Sequence, residues 1–381
     1  MTIFILKETA NLETRVAATP DTVKKLAAMG AQILVETGAG LNAAQSDDAY
    51  TAAGAKIVKD ANAGLKEADI VLCVQRPETG VLDKMKEGAT LLGLLQPYAF
   101  SSIQPSFEKR KTSAVSLELV PRISRAQSMD VLSSQANLAG YRAVIEATAA
   151  YGRAFPMMMT AAGTVAPAKA FIMGAGVAGL QAIATARRLG AVVSATDVRP
   201  AAKEQVESLG ATFVMVQSDE TKEAETKGGY AKEMSDDYKR KQAELVAETI
   251  KKQDIVITTA LIPGRPAPIL VTEDMVKTMK AGSVIIDMAV EQGGNCPLSE
   301  KDKTVVKHGV TIIGHSNLPA RIPVDSSQLY AKNMLNILTL MLGKEKTELK
   351  FDFEDEIVKG FTLVHNGKPV HPLLQSEPKK K

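Results

Sequence analysis

Residues 169–179 read Lys169-Ala170-Phe171-Ile172-Met173-Gly174-Ala175-Gly176-Val177-Ala178-Gly179, and an Ala-rich run to Leu189 follows them. Four apolar residues, a glycine-rich turn and an amphipathic run predict strand, tight turn and helix in that order. Each glycine has a separate task. Gly174 permits the turn, Gly176 lets the backbone approach a pyrophosphate, and Gly179 lets the helix pack close to the strand. The pyrophosphate would rest on the helix N-terminus, where backbone N–H groups point outward. Asp197 closes the next predicted strand, about 20 residues on, where a carboxylate accepts ribose hydroxyls and repels a 2′-phosphate. The combination predicts a dinucleotide site that favours NAD(H) over NADP(H). Arg199 is the caution, because an arginine beside such an acid can serve a 2′-phosphate.

Outward from this motif, strands and helices alternate in both directions. Before it, strands are predicted at 2–6, 32–36, 69–74, 90–95 and 113–119. A helix over 21–29 is capped by Thr19 with Pro20 in its first turn. After the motif come strands at 192–197, 212–216, 254–259, 283–288 and 310–314, the motif strand itself being 170–174. A long helix over 133–153 stands between the two series, with Ala136, Ala139, Gly140, Ala143, Val144 and Ala147 at helical spacing. The tail predicts a helix at 327–342 and a hairpin turning at Asn366-Gly367. The expected fold class is α/β, with two Rossmann-like, doubly wound parallel-sheet domains. The expected division is 1–132 plus 320–381 for a first domain without nucleotide, and 133–319 for the NAD(H)-binding domain.

A second glycine-rich turn, Gly38-Ala39-Gly40-Leu41-Asn42-Ala43, also follows a predicted strand. The helix after it opens with Ser46-Asp47-Asp48. Acids there stabilise the helix and repel phosphate, so an ordinary strand-to-helix turn is expected.

Composition excludes several classes. The chain has 381 residues, a net charge of +3, 45% hydrophobic residues and no Trp. No broad basic surface for nucleic acid or lipid is implied. The uncharged stretch 170–186 approaches a membrane span in length, but its three glycines make it strand-turn-helix. No signal peptide is recognised. Cys73 and Cys296 lack metal spacing, and a reduced, cytoplasmic protein follows.

Residues 121–135, PRISRAQSMDVLSSQ, gather Arg122, Arg125, Gln127, Ser128, Asp130, Ser133, Ser134 and Gln135 just before the long helix. Composition alone suits a capped connection between domains. Position suits a ligand, because clefts between domains bind ligands and these side chains match the donors and acceptor of a nicotinamide carboxamide. The histidines are His308, His315, His365 and His371, so the first 307 residues have none. Hydride transfer between two nicotinamides needs no acid–base group, unlike alcohol or ketone chemistry. Residues 217–237 are charged and hold Gly228-Gly229-Tyr230. They read either as a solvated connection or as a lid that could bring Tyr230 over the nucleotide.

Together, PRISRAQSMD, GYRAVIEA, MTAAGTVAPAKAFIMGAGVAGLQAIATARRLGA, GGYAKEMS, TTALIPGRPAP and GGNCPLS make the sequence resemble the NAD(H)-binding component of proton-translocating nicotinamide nucleotide transhydrogenase, over nearly the whole chain. The resemblance implies hydride transfer from NADH to NADP held on a separate domain, coupled to proton movement by a membrane partner. It implies a homodimer working with an NADP(H)-binding beta subunit and a membrane-spanning subunit. A chain ending without membrane helices is expected to be the free-standing alpha subunit of a split enzyme, cytoplasmic and peripherally attached to the inner membrane through its partners.

Carried over, Arg122, Gln127, Asp130 and Ser133 would hold the nicotinamide and its ribose, with Ile123, Ser124, Ser128 and Met129 contributing around them. Gly174, Ala175, Gly176, Val177, Gly179, Asp197, Val198 and Arg199 would take the pyrophosphate and adenosine half. Gly229 and Tyr230 would sit on a mobile loop, and Gln242 and Leu261 match further nucleotide positions. The nearest fold relative is alanine dehydrogenase, whose substrate site uses an Arg, a Lys, a His and an Asp. Arg15 matches, but Gln75, Gln96 and Glu291 fall where Lys, His and Asp would be. That places an amino-acid dehydrogenase second. A noncatalytic NAD-sensing subunit comes third, since it would not need the Arg122-Gln127-Asp130 cluster.

Overall fold

The computed structural model describes residues 1–216, 235–342 and 348–375. Contacts divide the chain into two units, Met1–Gln135 with Pro319–Lys381, and Ala136–Leu318.

In the first unit the strands are β1 (Thr2–Ile5), β2 (Gln32–Glu36), β3 (Lys56–Val58), β4 (Ile70–Gln75), β5 (Thr90–Leu94) and β6 (Ser113–Ser116). They pair in parallel in the order β3-β2-β1-β4-β5-β6. The sequence of β4, Ile-Val-Leu-Cys-Val-Gln, is buried through its first five residues, as a central strand covered on both faces must be. Alternation sends Ile3, Ile5, Ile33, Val35 and Leu72 to one core and Phe4, Leu34, Val71 and Leu91 to the other. The helix Pro20–Ala28 starts after Thr19, with Pro20 at its first position.

The second unit opens with a small antiparallel pair, β7 (Met158–Thr160) and β8 (Gly163–Val165). Its main sheet holds β9 (Lys169–Met173), β10 (Val192–Thr196), β11 (Thr212–Phe213), β12 (Ile255–Thr258), β13 (Val284–Asp287), β14 (Thr304–Lys307) and β15 (Val310–Ile313). Their order is β11-β10-β9-β12-β13-β15-β14, parallel except for the edge strand β14. In both sheets the order reverses beside the first strand, between β1 and β4 and between β9 and β12. Ligands of open α/β sheets bind outside the carboxyl ends of the strands at such a point.

The tail belongs to the first unit. The helix Pro323–Met341 buries Tyr330, Met334, Ile337, Leu338 and Met341 in its core. Strand β16 (Thr362–His365) pairs antiparallel to β6, and β17 (Lys368–Pro369) turns back on it. The turn residues Asn366 and Gly367 both have positive φ, 48° and 77°, the backbone that Asn-Gly supplies to a tight hairpin.

Several boundaries differ from the sequence expectation. The 113–119 strand stops at Ser116 and becomes a 3₁₀ turn over Leu117–Leu119. Of 212–216 only Thr212–Phe213 pairs. The long helix runs Val131–Ala150, and the tail helix begins earlier, at Pro323. Strands β3 and β14 have no counterpart among the predictions. Both are short and lie at sheet edges, with lysines that suit an edge and dilute an apolar pattern. Among the described residues no helix is long and apolar enough to cross a membrane.

Candidate functional site

The turn after β9 is built as its glycines require. Gly174 has φ of 110°, and its N–H donates to the Thr196 carbonyl at 2.8 Å. A Cβ on Gly179 would overlap the Gly174 carbonyl oxygen, and one on Gly140 would overlap the carbonyl of Ala178. Gly140 therefore lets the Val131–Ala150 helix reach the start of the Val177–Arg188 helix. Gly176 is different. It caps that helix without a capping side chain, and a Cβ there would meet nothing within 4 Å. The space beside it, at a helix N-terminus, is what a pyrophosphate needs.

Asp197 stands next to this turn at the end of β10. Its Oδ2 accepts the Ala175 N–H at 2.7 Å, and its Oδ1 accepts the Arg199 N–H at 2.8 Å and Nε at 2.9 Å. Burial pushes its carboxyl up, but the Arg199 guanidinium and the two N–H groups outweigh burial and hold it below the usual carboxylate range. A charged acid therefore sits at the expected ribose position. It shares its oxygens with Arg199, so an incoming hydroxyl must share them too.

Three apolar side chains stand in water nearby in sequence or pairing: Val177, Val198 and Leu261 are 42%, 72% and 50% exposed. Isolated exposure of this kind is ordinary, but all three occupy predicted nucleotide positions. Gln242 is placed otherwise. Its Nε2 donates to Thr196 Oγ1 at 3.0 Å, and its Oε1 accepts the Val216 N–H at 2.9 Å. That amide ties the helix Asp236–Ile250 to the ends of β10 and β11. Gly229 and Tyr230 lie outside the described residues.

In the first unit, residues 122–133 form a braced loop. Ser124–Met129 is a 3₁₀ turn. Arg125 holds Asp355 through two bonds of 2.7 and 2.8 Å, and the Ser128 carbonyl accepts from Asn333 and Asn336. Asp130 Oδ1 accepts the Ser133 N–H at 2.9 Å, and Oδ2 accepts its hydroxyl at 2.5 Å. Arg122, Ser124, Gln127 and Ser128 are exposed, while Ile123 is half-buried. Met129 is buried in the core at 8%, so it offers a ligand its backbone and little side chain.

The first unit's own switch point is filled from within. Arg15, 3% exposed, donates from Nε and Nη2 to the two oxygens of Glu13 at 2.9 and 2.7 Å, and from Nη1 to Gln135 Oε1 at 2.7 Å. Gln75 at the end of β4 donates to Glu13 Oε2 at 2.9 Å. Burial pushes Glu13 up, and the Arg15 bonds reverse this, leaving it below the usual range. Glu8 accepts the N–H groups of Val74 and Gln75, yet burial dominates and raises it to about 7. Arg15 and Gln75 are thus joined through Glu13. Gln96 is exposed, with φ of 53° and its N–H on Glu118. Glu291 is exposed in the second unit, 3.8 Å from Lys301.

The other glycine-rich turn is closed by its own acid. Asp47 Oδ1 accepts the Gly38 N–H at 2.9 Å and Oδ2 the Thr37 hydroxyl at 2.6 Å. A Cβ on Gly40 would press on Gln45 and Tyr50 at 2.7 Å. The helix Asp47–Ala52 starts there, with Ser46 accepting the Ala49 N–H. Sequence reasoning anticipated the acids but not that one of them occupies the turn. It also missed Glu13 and Glu8, whose only signal is an acid two residues before a buried arginine.

Comparisons with known proteins agree with this geometry. Residues 4–139 match the family model described as alanine dehydrogenase/PNT, N-terminal domain, and residues 143–372 match the C-terminal domain of the same description. The chain is 56% identical over 382 residues to the first of the chains that make up NAD(P) transhydrogenase subunit alpha in Rhodospirillum rubrum, covering 99% of this chain and 100% of that one. A crystal structure of transhydrogenase from Sinorhizobium meliloti superposes with a TM-score of 0.88 at 51% identity, over 97% of this chain and 100% of that one. An L-alanine dehydrogenase superposes with a TM-score of 0.82 at 25% identity, over 98% of each.

Proposed function

The chain belongs to the alanine dehydrogenase/PNT family, among the NAD(P) transhydrogenase alpha subunits, and from that premise we propose that it binds NAD(H) and passes hydride from NADH to NADP⁺ held on a partner domain. It is an oxidoreductase subunit by this membership. The proposed partners are a second copy of the chain, an NADP(H)-binding beta subunit and a membrane-spanning subunit that couples the reaction to proton movement. The subunit would then work in the cytoplasm, attached to the inner membrane through those partners.

The reaction moves a hydride from one nicotinamide ring to another and exchanges no proton with a protein side chain. The chain's tasks are to hold one nucleotide, orient its ring and leave that ring accessible, with reacting carbons about 3–3.5 Å apart. Gly176 leaves room for the pyrophosphate, and charged Asp197 faces the adenosine ribose. Arg122, Gln127, Asp130 and Ser133 are assigned to the nicotinamide half, with the braced loop limiting their freedom.

One observation carries the choice against an amino-acid dehydrogenase. Arg15, the arginine that a substrate carboxylate would need, is buried and already held by Glu13 and Gln135. Gln75 completes that network instead of offering a charge. A small 2-oxo acid would have to displace an internal carboxylate.

The test is stopped-flow hydride transfer from NADH to an NADP analogue, with and without a transhydrogenase NADP-binding domain. Transfer is expected only with the partner. Gln127→Asn should lower that rate about tenfold while leaving NADH affinity within about twofold, since the shorter amide alters geometry and not proton chemistry. Fast transfer by the chain alone, or reduction of pyruvate with ammonium at about 10 per second, would return the reading to an ordinary dehydrogenase.

A further inference from the structure

The segment after β12, residues 259–271, begins at the fingerprint and ends in the core. Thr259 donates its hydroxyl to the Gly174 carbonyl at 3.2 Å. Leu261 and Ile262 follow, 50% and 42% exposed, and Val271 at the far end is fully buried. The segment contains no helix or strand. Such a stretch, with three prolines and an apolar tip in water, needs an external brace to keep one shape.

The brace comes from the GGNCPLS motif, which the nucleotide assignment leaves without a role. Asp287, at the end of β13, is completely buried. Its oxygens accept the N–H groups of Ala289, Asn295 and Cys296 and the hydroxyls of Ser299 and Thr258. Gly293 and Gly294 both have positive φ, 95° and 83°, and a Cβ on Gly294 would lie 2.7 Å from Asp287 Oδ2. The two glycines let the chain wrap around this carboxyl and deliver Asn295. That residue is also fully buried, and both ends of its amide face the same segment. Its Oδ1 accepts the Ala260 N–H at 3.2 Å, and its Nδ2 donates to the carbonyls of Ala260 at 2.9 Å and Pro268 at 2.8 Å. Its backbone carbonyl takes the N–H groups of Leu270 and Val271 at 2.8 and 3.0 Å.

We infer that Asn295, set in place by Asp287, is a positioning residue for the nucleotide, acting through Ala260 to hold Leu261 out as an apolar surface for the bound dinucleotide. It touches no nucleotide itself. A purely structural clamp would fix the core end of the segment. This one bonds Ala260, the residue between the fingerprint contact at Thr259 and the exposed Leu261. Held in this way, Leu261 loses little freedom when it meets a ligand, and preorganisation of that kind raises affinity without adding a contact. The inference rests on the dinucleotide reading above.

The experiment is a fluorescence titration of NADH into the full chain and into Asn295→Ala, Leu261→Ala and the double variant, with thermal unfolding of each protein measured without nucleotide. Asn295→Ala and Leu261→Ala should each weaken NADH about tenfold, and the double variant should be no weaker than about twofold beyond Leu261→Ala, because both act through one contact. Losses that multiply to about a hundredfold, or an unchanged affinity in Asn295→Ala, overturn the inference. Asn295→Asp, which keeps the acceptor for Ala260 but not the donors, serves if the alanine variant does not fold; about threefold weaker binding is expected, and unchanged binding overturns the proposal. In the parent, the backbone amide resonances of Ala260 and Leu261 should shift on adding NADH, and fixed resonances also overturn it. A parent that binds no NADH would instead sink the dinucleotide reading itself.

Discussion

Two Rossmann-like sheets in one chain share their strand order outward from the switch point, yet they finish that point in opposite ways. Between β9 and β12 the turn leaves open space over Gly176, and a charged acid stands alongside. Between β1 and β4 the corresponding region is occupied by Glu8, Glu13, Arg15 and Gln75, bonded to one another and to the strand ends. The glycine-rich turn after β2 is likewise closed by Asp47. Topology offers a place for a ligand. Whether the place is used depends on whether the chain supplies its own anion there.

The comparison breaks first at Glu13. Removing it leaves the buried Arg15 guanidinium without its carboxylate partner, and losing one member of such a pair costs about 3–5 kcal/mol. Glu13→Ala should therefore lower the stability of the first unit by that amount in thermal or urea unfolding, with NADH affinity unchanged. Weakened NADH binding at equal folding would show that the filled switch point contributes to the nucleotide site after all.

Gly179→Ala attacks the other side. Its Cβ cannot coexist with the Gly174 carbonyl, so the helix must retreat from the turn. NADH binding should fall about a hundredfold, equivalent to about 2.7 kcal/mol, while Gly40→Ala in the first unit changes stability and leaves NADH affinity alone. Equal effects of the two substitutions on NADH binding would erase the contrast.

Asp197→Ala sharpens it by a smaller step. The ratio of NADH to NADPH affinity should drop about tenfold, read by equilibrium titration of both nucleotides. Arg199 lowers the Asp197 carboxyl below its ordinary value of 3.8. The acid is therefore charged from pH 8 down through pH 5, and NAD⁺ affinity should be flat over that range. Its contribution to stability is complete above the unfolded value and is lost as pH falls through the lower folded one. An NAD⁺ affinity that declines between pH 7 and pH 5 would point to a different titrating group.

The open site was the more legible of the two. Gly174, Gly176, Gly179 and Asp197 announce themselves by spacing, because each answers a backbone or ribose requirement that few residues satisfy. The 122–133 loop was visible as a polar cluster, but its bracing was not, since Arg125 reaches Asp355 across a long stretch of chain. Glu13 and Glu8 were invisible for the same reason. Nothing in a local pattern tells a buried acid from a solvated one, and Gln75 and Gln135 meet them only after folding. Gln242 shows the converse: it occupies a nucleotide position by resemblance, yet its amide is bonded to the ends of two strands. Edge strands β3 and β14 escaped because three or four residues beside lysine carry no clear period.

The return of the tail to β6 has a consequence during synthesis. The first six strands leave the ribosome before the second unit, but Tyr330, Met334, Ile337, Leu338, Met341, Ile357 and Phe361 of their core leave after it. The first-made half must therefore wait, with apolar surface uncovered, while the inserted half is translated and can fold as a unit. Nascent chains stalled with residue 318 outside the exit tunnel should show residues 136–318 resistant to protease and residues 1–135 still cleaved. Protection of both halves at that length would mean that the sheet closes without its last-made helix.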